Sequence, residues 1–198
     1  MNMMTGREFR QHVDANRELL NSAFHEAGHV MAARYFGFRV AWVSIDPEFI
    51  RRDPLAIKNE VAHAGEGVFA VAMVVASEKI SDQVATNARE RQILRNYGVE
   101  ILCGPFAEQL VNPDWWQTAD ADKDQAKYWL ARCGGSKEQR HLNKAFNQIE
   151  RDAMRFVERN SEVIEKFAHF LIAERTIRES EIDPFIAKAK ASANRLAP

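Results

Sequence analysis

Cysteine is scarce: the two present, Cys103 and Cys133, form no C-x-x-C pair. A disulfide scaffold is therefore excluded, and a reducing, cytoplasmic setting with both thiols free is expected. Long apolar runs are missing as well. The longest, Val68 to Ala76, falls far short of the roughly 18 residues that a membrane span needs. Met1 to Glu8 contain no apolar stretch of the kind a secretory signal requires. Charge of neither sign is in excess: 27 Lys and Arg stand against 28 Asp and Glu, a formal net charge of −1. No global field draws such a chain onto nucleic acid or anionic lipid. The sequence also lacks repeats, low-complexity tracts and a G-x-x-x-x-G-K-S/T phosphate loop, so we expect no ATP binding by this chain. What remains is ordinary globular composition, 46% hydrophobic and 28% charged over 198 residues, which suits one domain over residues 1–198.

Apolar residues at Leu19, Ala23, Ala27, Val30, Met31 and Tyr35 share one helical face, predicting a helix from Asp14 to Phe36 with Gly37 as its C-terminal cap. Arg39 to Ile45 is β-branched and aromatic and reads as a strand, stopped by Asp46-Pro47. Arg51 to Gly67 reads as a loop. Val68 to Val75 is a second strand candidate whose apolar run also fits a buried helix. A helical pattern covers Ser81 to Val111, with a kink expected near Gly104-Pro105, because proline removes a hydrogen bond and crowds the preceding turn. Asn112-Pro113-Asp114 ends it. A helix is expected from Asp120 or Asp122 to Cys133, broken by Gly134-Gly135-Ser136. Three more follow: Glu138 to Asn160, Ser161 to Ala173 with Ser161 as N-cap, and a last from Glu179. Two short strands among about five helices make a mainly helical α+β fold, with a small sheet and a C-terminal helical bundle.

His25-Glu26-Ala27-Gly28-His29 is an H-E-x-x-H pattern within the first helix. At 100° per residue the two imidazoles lie one turn apart and about 40° from each other, a spacing that can hold one Zn²⁺. Glu26 is turned about 100° away, so it can flank a metal without ligating it and take a proton from attacking water. The bland alternative is two exposed helix histidines and a surface glutamate. A catalytic zinc site needs a third protein ligand. Two places offer one: Glu100 or Glu108 on the Ser81–Val111 helix, and the acidic cluster Asp120, Asp122 and Asp124. The cluster would also serve simply to complement a helix dipole.

Phe24 to Ala33, followed by Val40-Ala41-Trp42-Val43-Ser44-Ile45-Asp46-Pro47, resembles the peptidase domain of FtsH-type ATP-dependent zinc proteases. Leu102-Cys103-Gly104-Pro105-Phe106-Ala107-Glu108 resembles that family's L-x-G-x-x-A-E helix, and Thr118 to Ala126 its D-x-x-x-A segment. The resemblance spans about residues 16–186, which sets the expected core of the domain, and its C-terminal part rests on helical patterning alone. It implies a zinc peptidase with His25, His29 and Asp122 as ligands and Glu26 as the catalytic base. Asp120 and Asp124 are the alternatives in register, and Lys123 and Gln125 depart from the family pattern. The loop Arg51 to Gly67 is not the family's, so substrate preference does not carry over. FtsH proteins carry an AAA+ module and a membrane anchor ahead of this domain, and neither is expected here. That leaves room for a separate ATPase partner and for a homo-oligomer.

The function implied is hydrolysis of peptide bonds in unfolded or flexible polypeptides, with the strand Val40–Ile45 or Val68–Val75 pairing an extended substrate at its edge. The rival is a regulatory or interaction module that keeps the fold and the metal without turnover. Elsewhere, His63 would border the cleft or be solvated. Trp115-Trp116 would line a groove or pack on the core. Cys103 reads as a small buried residue, and His12, His141 and His169 as surface or packing residues.

Overall fold

The structure is a computed structural model and describes residues 6–54, 71–75, 84–115, 119–133 and 139–194. His63, Trp116, Gly134-Gly135-Ser136 and most of the expected 51–67 loop lie outside the described residues, as does the side chain of His12.

Helix α1 (Gly6–Tyr35) starts earlier than the apolar pattern predicts. Its inner face, with Ala23, Ala27, Val30 and Met31, is buried. It ends as expected at Gly37, whose φ of 79° is left-handed. The Phe38 amide donates to the Ala33 carbonyl and the Gly37 amide to that of Arg34, which satisfies the last carbonyls of the helix.

That turn feeds strand β1 (Arg39–Ser44), which lies at the centre of a three-stranded antiparallel sheet ordered β2-β1-β3. Strand β2 (Val71–Val75) answers the ambiguous apolar run, and places Ala72 opposite Val43. Strand β3 (Thr176–Arg178) was not expected from the sequence, and places Ile177 opposite the other side of Val43. Three residues are too few to show an alternation. The preceding turn uses Arg175 at φ 64°, where glycine or asparagine would have signalled it. One expectation is corrected by this order. With both edges paired, β1 has no room for a substrate strand, and the free edges among the described residues belong to β2 and β3.

Asp46-Pro47 stops β1 and also starts α2 (Pro47–Arg52), where a loop was expected from Arg51 on. The Asp46 carboxylate accepts from the Glu48 amide, and proline fits the first helical position because its missing N–H needs no partner there. Helix α3 (Ala88–Glu108) begins later than Ser81, at an Asn87 cap that accepts from the Glu90 amide. It continues through Pro105, and every residue from Tyr97 to Glu108 is buried, because α3 packs against α1, α4 and α5 at once. Helix α4 (Asp120–Ala131) is as expected.

Helix α5 (Gln139–Glu174) is one helix of 36 residues, not two. Its buried positions Ala153, Phe156, Val157, Val163, Ile164, Phe167, Ala168 and Leu171 lie on one helical face on both sides of Ser161, with half-buried Asn160 taking the step between Val157 and Val163. Neither glycine nor proline interrupts it. Helix α6 (Glu179–Asn194) is the last described element, tied to the end of α1 and the start of β1 by Arg34–Asp183 and Arg39–Glu179 ion pairs. The architecture is the expected mainly helical α+β type. A continuous cluster of buried side chains joins α1, β1, α3, α4, α5, β3 and α6. Among the described residues no helix is long and apolar enough to cross a membrane.

Candidate metal centre

Helices α1 and α3 run side by side at close range, and two glycines make this approach possible. A Cβ on Gly28 would lie 2.2 Å from the Cys103 carbonyl oxygen, and one on Gly104 would lie 2.3 Å from Nε2 of His29. Only hydrogen fits at either place. The glycine inside H-E-A-G-H therefore lets α3 dock, and the glycine of the Gly104-Pro105 pair makes room for an imidazole.

His25 and His29 project from α1 one turn apart, with ring centroids 4.8 Å apart and planes at 66°. Their Nε2 atoms face each other at 3.0 Å. Helix α4 brings Asp122 Oδ2 to 3.4 Å from Nε2 of His25. His25, His29 and Asp122 each offer one atom within 4.8 Å of the others, a group that could hold a metal ion. Asp120 and Asp124 turn away and face Lys123 and Lys127. Two residues of helix are 200° of rotation, so with Asp122 turned toward α1 its neighbours on either side, which lie about 40° from each other, both point away.

Glu108 and Glu100 sit on the far side of the rings. Glu108 Oε2 is 3.1 Å from Nδ1 of His25, and Glu100 Oε1 is 3.3 Å from Nδ1 of His29. Asn112 donates through Nδ2 to the other Glu108 oxygen. A carboxylate only accepts, so each Nδ1 carries its proton and each Nε2 is turned toward the other. The two places that competed for the third ligand are thus both at the site, on opposite sides of the imidazoles. Sequence reasoning missed this division, and it missed Asn112, whose only signal was a helix-ending Asn-Pro.

The electrostatics call for positive charge. Glu26, Glu100, Glu108 and Asp122 surround two imidazoles. Burial raises the Glu26 carboxyl above its usual range, although His25 and His29 oppose this, and Ala72 of β2 gives it a backbone hydrogen bond. Burial works against a charged His29, but Glu100, Asp122 and Glu26 outweigh it, and the imidazole is pushed up to about 10. A proton shared by facing ring nitrogens and a cation held by both are alternative answers to the same negative pocket. The front of the site is the open side: His25 and Asp122 each keep 18% side-chain exposure and His29 13%, against 5% and 6% for Glu100 and Glu108.

Among the described residues, the other candidates pack within the fold or lie on its surface. Cys103 is buried, with its sulfur near the Ala153 carbonyl. Trp115 packs on Phe106, His169 touches the Phe24 ring edge, and His141 is exposed. In comparison with known proteins, the chain matches no family model and no curated protein.

Proposed function

We propose that the chain is a zinc-dependent metallopeptidase, akin to the FtsH-type peptidase domains that its H-E-A-G-H helix resembles. The observation that carries this reading is the convergence of His25, His29 and Asp122 on one spot, with buried Glu26 beside them. Two imidazoles and a carboxylate are a donor set of catalytic zinc sites, which keep a position open. Structural zinc sites close themselves with four protein ligands. The partial exposure of all three side chains fits the open kind.

Zinc bound there would polarise a carbonyl oxygen and lower the pKa of a water to about 7. The chain's own residues supply the rest. Asp122 and the two histidines orient the centre. Glu26, next to His25 in the chain but outside the converging ligand set, takes the proton of the attacking water and returns it to the leaving amine. The Ala72 amide ties Glu26 to β2, an edge strand among the described residues. A substrate segment lying along that edge must be extended, so the substrate is an unfolded or flexible polypeptide. A reducing, cytoplasmic setting and a separate ATPase that delivers unfolded chains belong to the same reading.

The test is metal analysis joined to casein cleavage. Wild type should hold about one Zn²⁺ per chain and cleave casein in a chelator-sensitive way. Glu26→Gln should keep the zinc and lose cleavage by about 10²–10⁴-fold. Equal cleavage by both proteins would mean a contaminating protease. Zinc-loaded wild type that cleaves nothing would favour the non-catalytic, regulatory module.

A further inference from the structure

We infer that Glu100 is a positioning residue: its carboxylate holds the His29 ring so that Nε2 is presented to the metal, and its charge strengthens that nitrogen as a ligand. This rests on the metal reading above and adds a residue to it. Glu100 is 4% exposed, and a carboxylate buried that deeply is costly unless paired. Its Oε1 lies 3.3 Å from Nδ1 of His29, and its own backbone carbonyl lies 3.3 Å from the same atom. The ring proton is thus gripped by side chain and main chain of one residue. Four residues further along the same helix, Gly104 leaves the space into which the rest of that ring fits. Four residues beyond, Glu108 does for His25 what Glu100 does for His29. A Glu-x-x-x-Gly-x-x-x-Glu face on α3 thereby meets the His-x-x-x-His face of α1, one carboxylate for each imidazole. Glu108 lies in the segment that carries the family resemblance, and Glu100 lies outside it. Carboxylates that hold the remote nitrogen of a ligating histidine fix the ring and raise its basicity, and their loss typically weakens metal binding about 10–100-fold.

The experiment compares wild type, Glu100→Gln and Glu100→Leu. Glutamine keeps the shape and one acceptor but drops the charge, whereas leucine drops both. Zinc affinity is measured by competition with a chromophoric chelator, and folding by circular dichroism. The Co²⁺-loaded proteins are examined by proton NMR for the shifted, slowly exchanging ring N–H signals of His25 and His29. Wild type should show two such signals. In Glu100→Leu, where the main-chain carbonyl remains the sole acceptor, one signal should exchange faster and the other stay as in wild type, and zinc should bind about 10–100-fold more weakly. Glu100→Gln should fall between and retain the wild-type fold. Equal zinc affinity in wild type and Glu100→Gln, with both N–H signals of Glu100→Leu exchanging at the wild-type rate, overturns the role of Glu100 alone. Failure of wild type itself to bind Zn²⁺ or Co²⁺ overturns the metal reading and this role with it.

Discussion

Asp122 and its neighbours Asp120 and Asp124 have the same chemistry and differ only in the direction they face. Asp122→Ala should therefore weaken zinc binding strongly, while Asp120→Ala and Asp124→Ala, whose side chains are 88% and 79% exposed, should leave it near wild type. Isothermal titration of zinc into the three variants checks this, and loss of binding in Asp120→Ala would overturn the placement of α4. Gly104→Ala makes a separate prediction. Its methyl group would occupy the place of the His29 ring, so zinc affinity should drop even though no ligand is changed. At this scale the sequence was informative about chemistry and poor about division of labour. His25, Glu26 and His29 could be read because they are adjacent on one helix, where rotation per residue fixes their directions. Which acid faced which nitrogen depended on the docking of α3 and α4, separated from α1 by some seventy or more residues, and no local spacing encodes that.

At the scale of elements, α5 offers the sharpest test, because one helix and two helices respond oppositely to proline. If a helix began at Ser161, Glu162 would be its first position and proline there would be tolerated. In the interior of an unbroken Gln139–Glu174 helix, Glu162→Pro should cost about 3 kcal/mol or more in denaturant unfolding. Gly37→Ala should cost about 1–2 kcal/mol through its left-handed backbone alone, with zinc binding unchanged. The body of α1 and the strand at β1 were legible because pattern and stop signal agreed, Gly37 ending the one and Asp46-Pro47 the other. Ser161 misled because a good capping residue falls where the apolar stripe skips one step, at Asn160, although the same face resumes at Val163. Strand β3 and helix α2 were lost for a different reason. Both are short, and a short element is specified by the partner it packs on more than by its own pattern.

For the whole molecule, the candidate centre joins α1 to α4 directly and to α3 through the two glutamates, so a bound ion acts as a cross-link among three helices. A ligand that binds only the folded state, at about 100 times its dissociation constant, stabilises by about 2.7 kcal/mol. For a chain of this size that corresponds to roughly 5–10 °C in the thermal midpoint. Chelation should lower the midpoint of wild type by that order and leave His25→Ala and His29→Ala unmoved. A wild-type midpoint indifferent to chelator, in protein shown to contain zinc, would mean that the ion sits elsewhere.

The position of β1 between β2 and β3 has a consequence in time. On a ribosome that adds about 5–20 residues per second, the chain from Asp122 to Arg178 takes roughly 3–11 seconds to appear. During that interval the three converging side chains already exist, while one side of β1 still waits for the last strand of the sheet. An open strand edge is a template for another chain. Newborn copies released early, or stalled before Thr176, should therefore be captured by one another or by chaperones, and the age of the nascent chain becomes a determinant of its yield.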